Sequence, residues 1–341
     1  MDLENIILDV SNSPKGYLIK NKQFINYLTK SINIIYGVRG KELIYPAPQP
    51  VSIETKDFSK LKQYKYYTSL KLDGIRFLLY FLKDRNNKNQ AIIINRALNF
   101  YIIELNAEDT IYNGTLLDGE LIYNKSSQIW EFMVHDALML CGNRINKFQH
   151  SLRLGDTKYC LDSFVNYTNN SAFNLKVKEF YSFDQFDYFI DEIYNKSDNN
   201  DGLIFMPENL PVISGTQYSM LKWKPHDKHT FDFLIKECDE GMEAYVFYMG
   251  NMNIFAKIYK NTEEGLKFIN LASGLNNYKN DCIVECYFNR EKSNFTPFLV
   301  RTDKTHPNSL RTIERTLFNI TEDIQIDDFK KIVEELNKNN E

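Results

Sequence analysis

The chain is poor in the residues that build disulfide frameworks, metal ribbons and membrane spans, and each shortage narrows what it can be. Only five of its 341 residues are cysteines (Cys141, Cys160, Cys238, Cys282 and Cys286), and no two make a Cys-x-x-Cys pair. No His-Cys is followed by the arginine that a cysteine-phosphatase loop requires. A reducing compartment follows from so sparse a set. Cys282 and Cys286 stand four apart in the apolar run DCIVECYF, where both face one side of a strand, so core packing is expected of them rather than metal binding. No apolar run approaches the length of a membrane span, and the first ten residues, MDLENIILDV, are acidic where a signal peptide would be basic. A soluble, intracellular protein is expected, nuclear or cytoplasmic, with no membrane partner. An excess of positive charge is missing too: 41 Lys and Arg against 45 Asp and Glu leave a net charge of -4. Coating duplex nucleic acid by bulk charge is thereby excluded, whereas a local basic cleft is not. There is no internal repeat, no long low-complexity run and no Gly-rich segment of methyltransferase character.

Large apolar side chains, by contrast, are plentiful. Hydrophobic residues make up 43% of the chain, with 24 Phe and 22 Tyr, and the length suffices for two cores. The run FINYLTKSINIIY, from Phe24 to Tyr36, has helical spacing, and YPAPQP at 45–50 breaks it. From Tyr66 to Met139 short strand-like runs follow one another across polar turns, which predicts an antiparallel sheet and not a βαβ array. A helix is predicted over 183–194, then two strands, DGLIFMP and LKWKP. HDKH after Pro225 reads as a hinge. Beyond it, five strands and one helix predict a small closed barrel such as an OB-fold. Two helices end the chain, the last carrying Phe329, Ile332, Val333 and Leu336 on one stripe that must dock on a neighbour. The expected division is 1–228, 229–320 for the barrel, and 321–341 for a helix packing back on the first domain.

The most informative stretch is KLDGIR, Lys71 to Arg76, which sets a lysine, an acid, a glycine and an arginine within six residues between strand-like runs. It reads either as a nucleophilic lysine beside its phosphate-binding groups or as an Asp-Gly hairpin with two solvated cations. Further segments put charge or flat apolar groups in order along the chain: INRALNFYII at 94–103, LLDGELIY at 116–123, FMVHDALM at 132–139, DGLIFMP at 201–207, LKWKP at 221–225, FDF at 231–233 and RTDKTHPN at 301–308. In LKWKP, alternation puts Lys222 and Lys224 on one face of a strand and Trp223 on the other.

Taken together, these segments resemble the covalent nucleotidyltransferases, and most closely the guanylyltransferases of mRNA capping, including the compact viral and fungal ones. The resemblance runs from about Tyr66 to Ile320. It implies an α+β fold, a ligase-type (ATP-grasp-like) nucleotidyltransferase domain built on antiparallel sheet and followed by an OB-fold β-barrel. It also implies that Lys71 attacks the α-phosphate of GTP, that pyrophosphate leaves, and that GMP passes from the lysine to a 5′-diphosphate RNA end. A lysine with its ordinary pKa is neutral only about once in 2,500 molecules at pH 7, so neighbouring cations, for which Arg76, Lys222 and Lys224 are the candidates, are expected to favour the neutral amine.

By the same resemblance, Arg76 and Arg96 would grip sugar and phosphate oxygens with forked donors. Glu120, in an Asp118-Gly119-Glu120 run expected to end a strand, would contact the ribose or support a metal. Asp201 would hold Mg²⁺ or Mn²⁺. Asp232 matches an acid that follows the LKWKP motif, and Arg301, Asp303 and Lys304 would engage the β- and γ-phosphates when the barrel closes. The sequence departs from the family at His135, which stands where a stacking aromatic is expected; the base would then lie between His135 and Ile204. Lys178 would donate to guanine O6. A separate RNA triphosphatase and cap methyltransferase are the expected functional partners, with RNA polymerase a further candidate. An ATP-dependent RNA or DNA ligase, or a silent module that grips RNA 5′ ends or a polymerase tail, are the alternative readings.

Overall fold

The computed structural model describes residues 5–6, 13–38, 45–166, 171–197, 200–302 and 304–338. They divide into two compact units, one comprising Met1–Ile53, Asp57–Trp223 and Phe329–Glu341, the other Glu54–Lys56 and Lys224–Asp328.

Two sheets make the framework of the larger unit. The first runs in the order Asn5–Ile6, Lys15–Leu18, Phe100–Ile103, Asn89–Ile94, Ile75–Lys83, Thr115–Asn124 and Ile129–Leu140, with Asn143–Arg144 and Asn174–Val177 both pairing with the last of these. Strict alternation in IRFLLYFL gives it two apolar faces. Phe77, Leu79 and Phe81 point to one core with Phe132 and Leu161, while Leu78, Tyr80 and Leu82 meet Leu28, Ile32 and Ile35 of helix Lys22–Tyr36 on the other side. The second sheet has the order Tyr181–Ser182, Tyr66–Leu72, Asn200–Pro207, Thr216–Trp223 and Gln49–Ser52. Its apolar face carries Phe205 and Trp223, which pack with Phe183 and Phe186 around Phe329 of the last helix, Ile326–Lys338.

Antiparallel pairing prevails, as expected, but among the described residues two strand pairings of the larger unit are parallel. Strand Ile129–Leu140 returns through helix His150–Phe164 to a parallel neighbour at Asn174–Val177, a true βαβ crossover. The sequence hid this helix because three of its five inward positions, His150, Arg153 and Thr157, are polar and only Cys160 and Leu161 are apolar, so no apolar stripe marks it. Gln49–Ser52 is the second surprise: Pro50 lies in a strand that pairs parallel at a sheet edge, where a missing N–H is tolerated.

The smaller unit has five antiparallel strands in the order Asn251–Tyr259, Gly241–Tyr248, Thr230–Cys238, Cys282–Asn289 and Asn294–Val300, with helix Glu263–Ser273 between its third and fourth strands in the chain. A closed OB-type barrel was expected, whereas the pairing is that of an open sheet: among the described residues the two outer strands do not pair, and the helix packs against both. Cys282 and Cys286 lie in its core with Phe231, Phe233 and Ile313.

Candidate active site

Strand Tyr66–Leu72 belongs to one sheet of the larger unit and strand Ile75–Lys83 to the other, so Asp73-Gly74 is no hairpin. It is the bend that carries the chain from sheet to sheet. Gly74 is required there by close packing: a Cβ would stand 2.5 Å from Ile122 Cγ2 and 2.7 Å from Glu120 Cγ. Just before the bend, Lys71 Nζ lies 2.6 Å from Asp201 Oδ2, both side chains about four-fifths buried. A β-bulge makes that meeting. Asn200 pairs with Leu72 and Leu203 with Leu70, leaving Asp201 and Gly202 together opposite Lys71. Gly202 takes φ 126°, a conformation that side chains resist, which accounts for the glycine in DGLIFMP. The register also aligns Ser69, Ile204 and Lys222 across the sheet, and alternation puts Lys71 on their face. Trp223 takes the opposite face, as LKWKP predicted, while Lys224 lies just past the end of the strand.

The other sheet contributes a buried network around Asp118. Arg76 Nε donates to Asp118 Oδ1 at 2.9 Å and a terminal nitrogen to Oδ2 at 2.5 Å, while the other terminal nitrogen donates to the Pro48 carbonyl at 2.6 Å. His135 Nε2 lies 3.1 Å from the same Asp118 Oδ1. Burial alone would push the Asp118 carboxyl up, but the Arg76 charge and then His135 outweigh it and hold it well below the usual carboxylate range. One expectation is corrected here, and two site residues are given their partners. Asp118-Gly119-Glu120 lies in the middle of strand Thr115–Asn124, not at its end, and Gly119 is there because a Cβ would meet the Phe132 ring at 2.6 Å. The Arg76 fork is engaged by a carboxylate and a carbonyl within the protein. His135 occupies a bulge, between the pairs Val134–Gly119 and Asp136–Asp118, and is held by its ring edge. That edge contact leaves the faces of the imidazole as its stacking surfaces.

Lys178 joins the two sheets. Its backbone N–H donates to Val134 O at 2.8 Å, continuing the parallel pairing, and Ser69 Oγ donates to the next carbonyl, Glu179 O, at 2.6 Å. The side chain is buried rather than on the surface, its ammonium 5.7 Å from the centre of the Phe180 ring. Burial pushes its pKa down to about 8; Glu120 opposes this, and Lys71 and Arg76 add to it. Lys71, Arg76, Glu120 and Lys178 therefore share one electrostatic neighbourhood. Arg96 sits in the tip Asn95–Asn99 between two strands, an exposed residue whose head group is lowered in pKa by the protein around it and by Arg76.

In the smaller unit, Asp232 gathers the barrel motif. Lys304 Nζ donates to Asp232 Oδ2, Arg301 reaches Asp232 Oδ1 at 3.4 Å and Glu285 Oε2 at 3.0 Å, and Asn308 Nδ2 donates to Asp232 at 3.2 Å. Asp303 lies outside the described residues. Sequence reasoning missed Glu285, Asn308 and the anchoring part of Asp118; a buried arginine needs a carboxylate, and that was the available signal. It also missed a second buried pair, Arg153 with Asp136 at 2.7 and 2.8 Å, beside His135.

Among the described residues no group of three or more His, Cys, Asp and Glu side chains is assembled to hold a metal ion. Asp201 and Glu120 are hard carboxylate donors of the kind that Mg²⁺ takes one or two of when phosphates and water complete its shell, so the residues fit such an ion. No helix of the described residues is long and apolar enough to cross a membrane.

Residues 7–226 match the family model for the mRNA capping enzyme catalytic domain, and residues 218–329 match the model for the mRNA capping enzyme C-terminal domain. The mRNA-capping enzyme subunit alpha of Schizosaccharomyces pombe is 29% identical over 329 residues, covering 84% of this chain and 79% of its own length. That of Saccharomyces cerevisiae is 24% identical over 372 residues, covering 86% and 79%. Among solved structures, a mycobacterial DNA ligase D complexed with ATP and MES is 14% identical at a TM-score of 0.42, covering 77% of this chain and 97% of that chain. With more than half of its length matched by the catalytic-domain model and most of the rest by its C-terminal counterpart, the chain belongs to the mRNA capping enzyme family and is a nucleotidyltransferase.

Proposed function

We propose that the protein is a GTP:RNA guanylyltransferase that works through a covalent lysyl-GMP on Lys71. The observation that carries this reading is the Lys71–Asp201 pair at 2.6 Å, set on one sheet face with Ile204 and Lys222 and with Lys71 in the electrostatic reach of Lys178. GTP would enter with its base on a His135 face and against Ile204, its O6 toward Lys178, its ribose near Glu120 and Arg96, and its α-phosphate toward Lys71 and Lys222. Lys71 loses its ammonium proton to solvent and attacks the α-phosphorus; the bond to the β-phosphate oxygen breaks, pyrophosphate leaves, and the second proton shed by the nitrogen also passes to solvent. GMP then passes to the terminal oxygen of a 5′-diphosphate RNA, and Lys71 is restored.

Asp201 and Glu120 would hold Mg²⁺ or Mn²⁺ with the phosphate oxygens, and the ion when bound would neutralise charge on the phosphates. Asp201 cannot hold both a cation and the Lys71 ammonium at full strength. Arg301, Asp303 and Lys304 act on the β- and γ-phosphates once the barrel closes, with Lys224 and Asp232 at the base of that movement. The expected working domains are 1–228, 229–320 and 321–341. An RNA triphosphatase must supply the diphosphate end and a methyltransferase consume the cap, on other chains of a nuclear or cytoplasmic system.

Incubation with α-labelled GTP and Mg²⁺ or Mn²⁺ tests the proposal. An acid-stable label on the protein, absent in Lys71→Ala and released by pyrophosphate or by diphosphate-ended RNA, is expected. Label from ATP with nick sealing would identify a ligase instead, and no label from any nucleotide would leave a binding module.

A further inference from the structure

Two thiols outside the nucleotide site are held against each other. Cys141 Sγ lies 3.6 Å from Cys160 Sγ, the first partly exposed and the second buried. Their supports are fixed. Cys141 forms a turn with Gly142 between Ile129–Leu140 and Asn143–Arg144, and its N–H donates to Thr115 Oγ1 at 2.9 Å while that of Gly142 donates to Gly114 O at 2.7 Å. Cys160 projects inward from helix His150–Phe164, which the buried Arg153–Asp136 pair fastens to the same strand. Cys141 also has φ 46°, in the left-handed region where asparagine or glycine would serve the turn with less strain. Turn chemistry does not account for the cysteine, whereas the neighbouring thiol gives it a partner.

We propose that Cys141 and Cys160 are a hydroperoxide-responsive thiol pair that closes to a reversible disulfide. Cys141 reacts first: as thiolate it attacks one peroxide oxygen, the O–O bond breaks, and water or an alcohol leaves with a sulfenic acid formed on Cys141. The Cys160 sulfur then displaces the sulfenic oxygen, its proton departs with that oxygen as water, and the S–S bond forms. Two thiols are oxidised by two electrons and one hydroperoxide is reduced. The order follows from access, and from burial, which with Cys141 beside it pushes the Cys160 thiol up to about 12. Closure brings the sulfurs from 3.6 Å to a bond of about 2.05 Å.

The test uses the full chain as Cys238→Ser, which removes the exposed competing thiol. The reduced protein is titrated with hydrogen peroxide, capped with N-ethylmaleimide and mapped by mass spectrometry. The expected result is a peptide pair linked through Cys141 and Cys160, with the loss of two hydrogens and full recovery by dithiothreitol. In Cys160→Ser the same dose leaves a Cys141 sulfenic acid that dimedone traps. The proposal is overturned if both thiols remain open to maleimide after peroxide. It is equally overturned if Cys141 advances to sulfinic acid with no linked peptide while Cys160 is intact, a result readable without any variant at either position.

Discussion

Lys71 Nζ and Asp201 Oδ2 are 2.6 Å apart because a one-residue bulge places two residues opposite one. The proposed nucleophile is thus held in an ion pair. Removing the acid should therefore separate activity from stability. Asp201→Asn is expected to lower guanylylation by roughly a hundredfold or more, while its effect on the unfolding midpoint stays within about 1 kcal/mol, as for partly solvated pairs. Labelling rates and urea melts on the same preparation check both. A loss of stability matching the loss of activity would contradict this arrangement.

Asp118 behaves differently because it is fully buried. Asp118→Asn leaves the Arg76 charge enclosed without its counter-ion and should destabilise the protein by about 3–5 kcal/mol. The double variant Arg76→Met, Asp118→Leu should recover much of that stability but not the activity. Urea denaturation of the three proteins measures the coupling.

Lys178 carries a cost that the proposed contact with guanine would explain. Its pKa is pushed below the ordinary lysine value to about 8, so the folded chain binds fewer protons than the unfolded chain between about 8 and 10.5. Stability from this group is present above the unfolded value and is lost as the pH falls through about 8. Lys178→Met should accordingly be more stable than the natural chain at pH 7, by about 1–3 kcal/mol, while its KM for GTP rises roughly ten- to a hundredfold through the lost charged hydrogen bond. Methyl-lysine NMR should show one lysine titrating near 8.

His150 predicts an acid-side loss. It is fully buried, edge-on to Phe180 with ring centres 4.6 Å apart, and neither ring nitrogen has a partner among the described residues. Burial pushes its pKa from 6.5 down to about 4. The unfolded chain binds the proton more readily in that window, so stability is intact above 6.5, falls by about 1.4 kcal/mol per pH unit on acidification, and levels off below 4. His150→Phe should flatten that part of the curve, as urea midpoints at pH 7, 5 and 4 would reveal.

Much of the site was legible because its residues come in short runs at fixed spacing. KLDGIR, LLDGELIY and DGLIFMP each pair a charged residue with a glycine, and the structure gives the glycines separate reasons. Gly74 and Gly119 admit close packing, and Gly202 adopts the backbone of a bulge. Helix His150–Phe164 was not legible, since its buried face uses His150, Arg153 and Thr157 instead of an apolar stripe. Nor was the strand at Gln49–Ser52, where local proline signals read as a break and a sheet edge overrode them.

The sequence by itself determined the alternating strands, the five-stranded unit that follows them and the side chains able to do the chemistry, because alternation and motif spacing are local properties. Which partner each charge takes was decided only by tertiary structure. Arg76 meets Asp118, His135 is held by its edge, and Lys178 is enclosed, because residues dozens of positions apart are brought together only by sheet pairing and bulges. Ion pairing and desolvation depend on distance in space, which spacing along the chain does not fix.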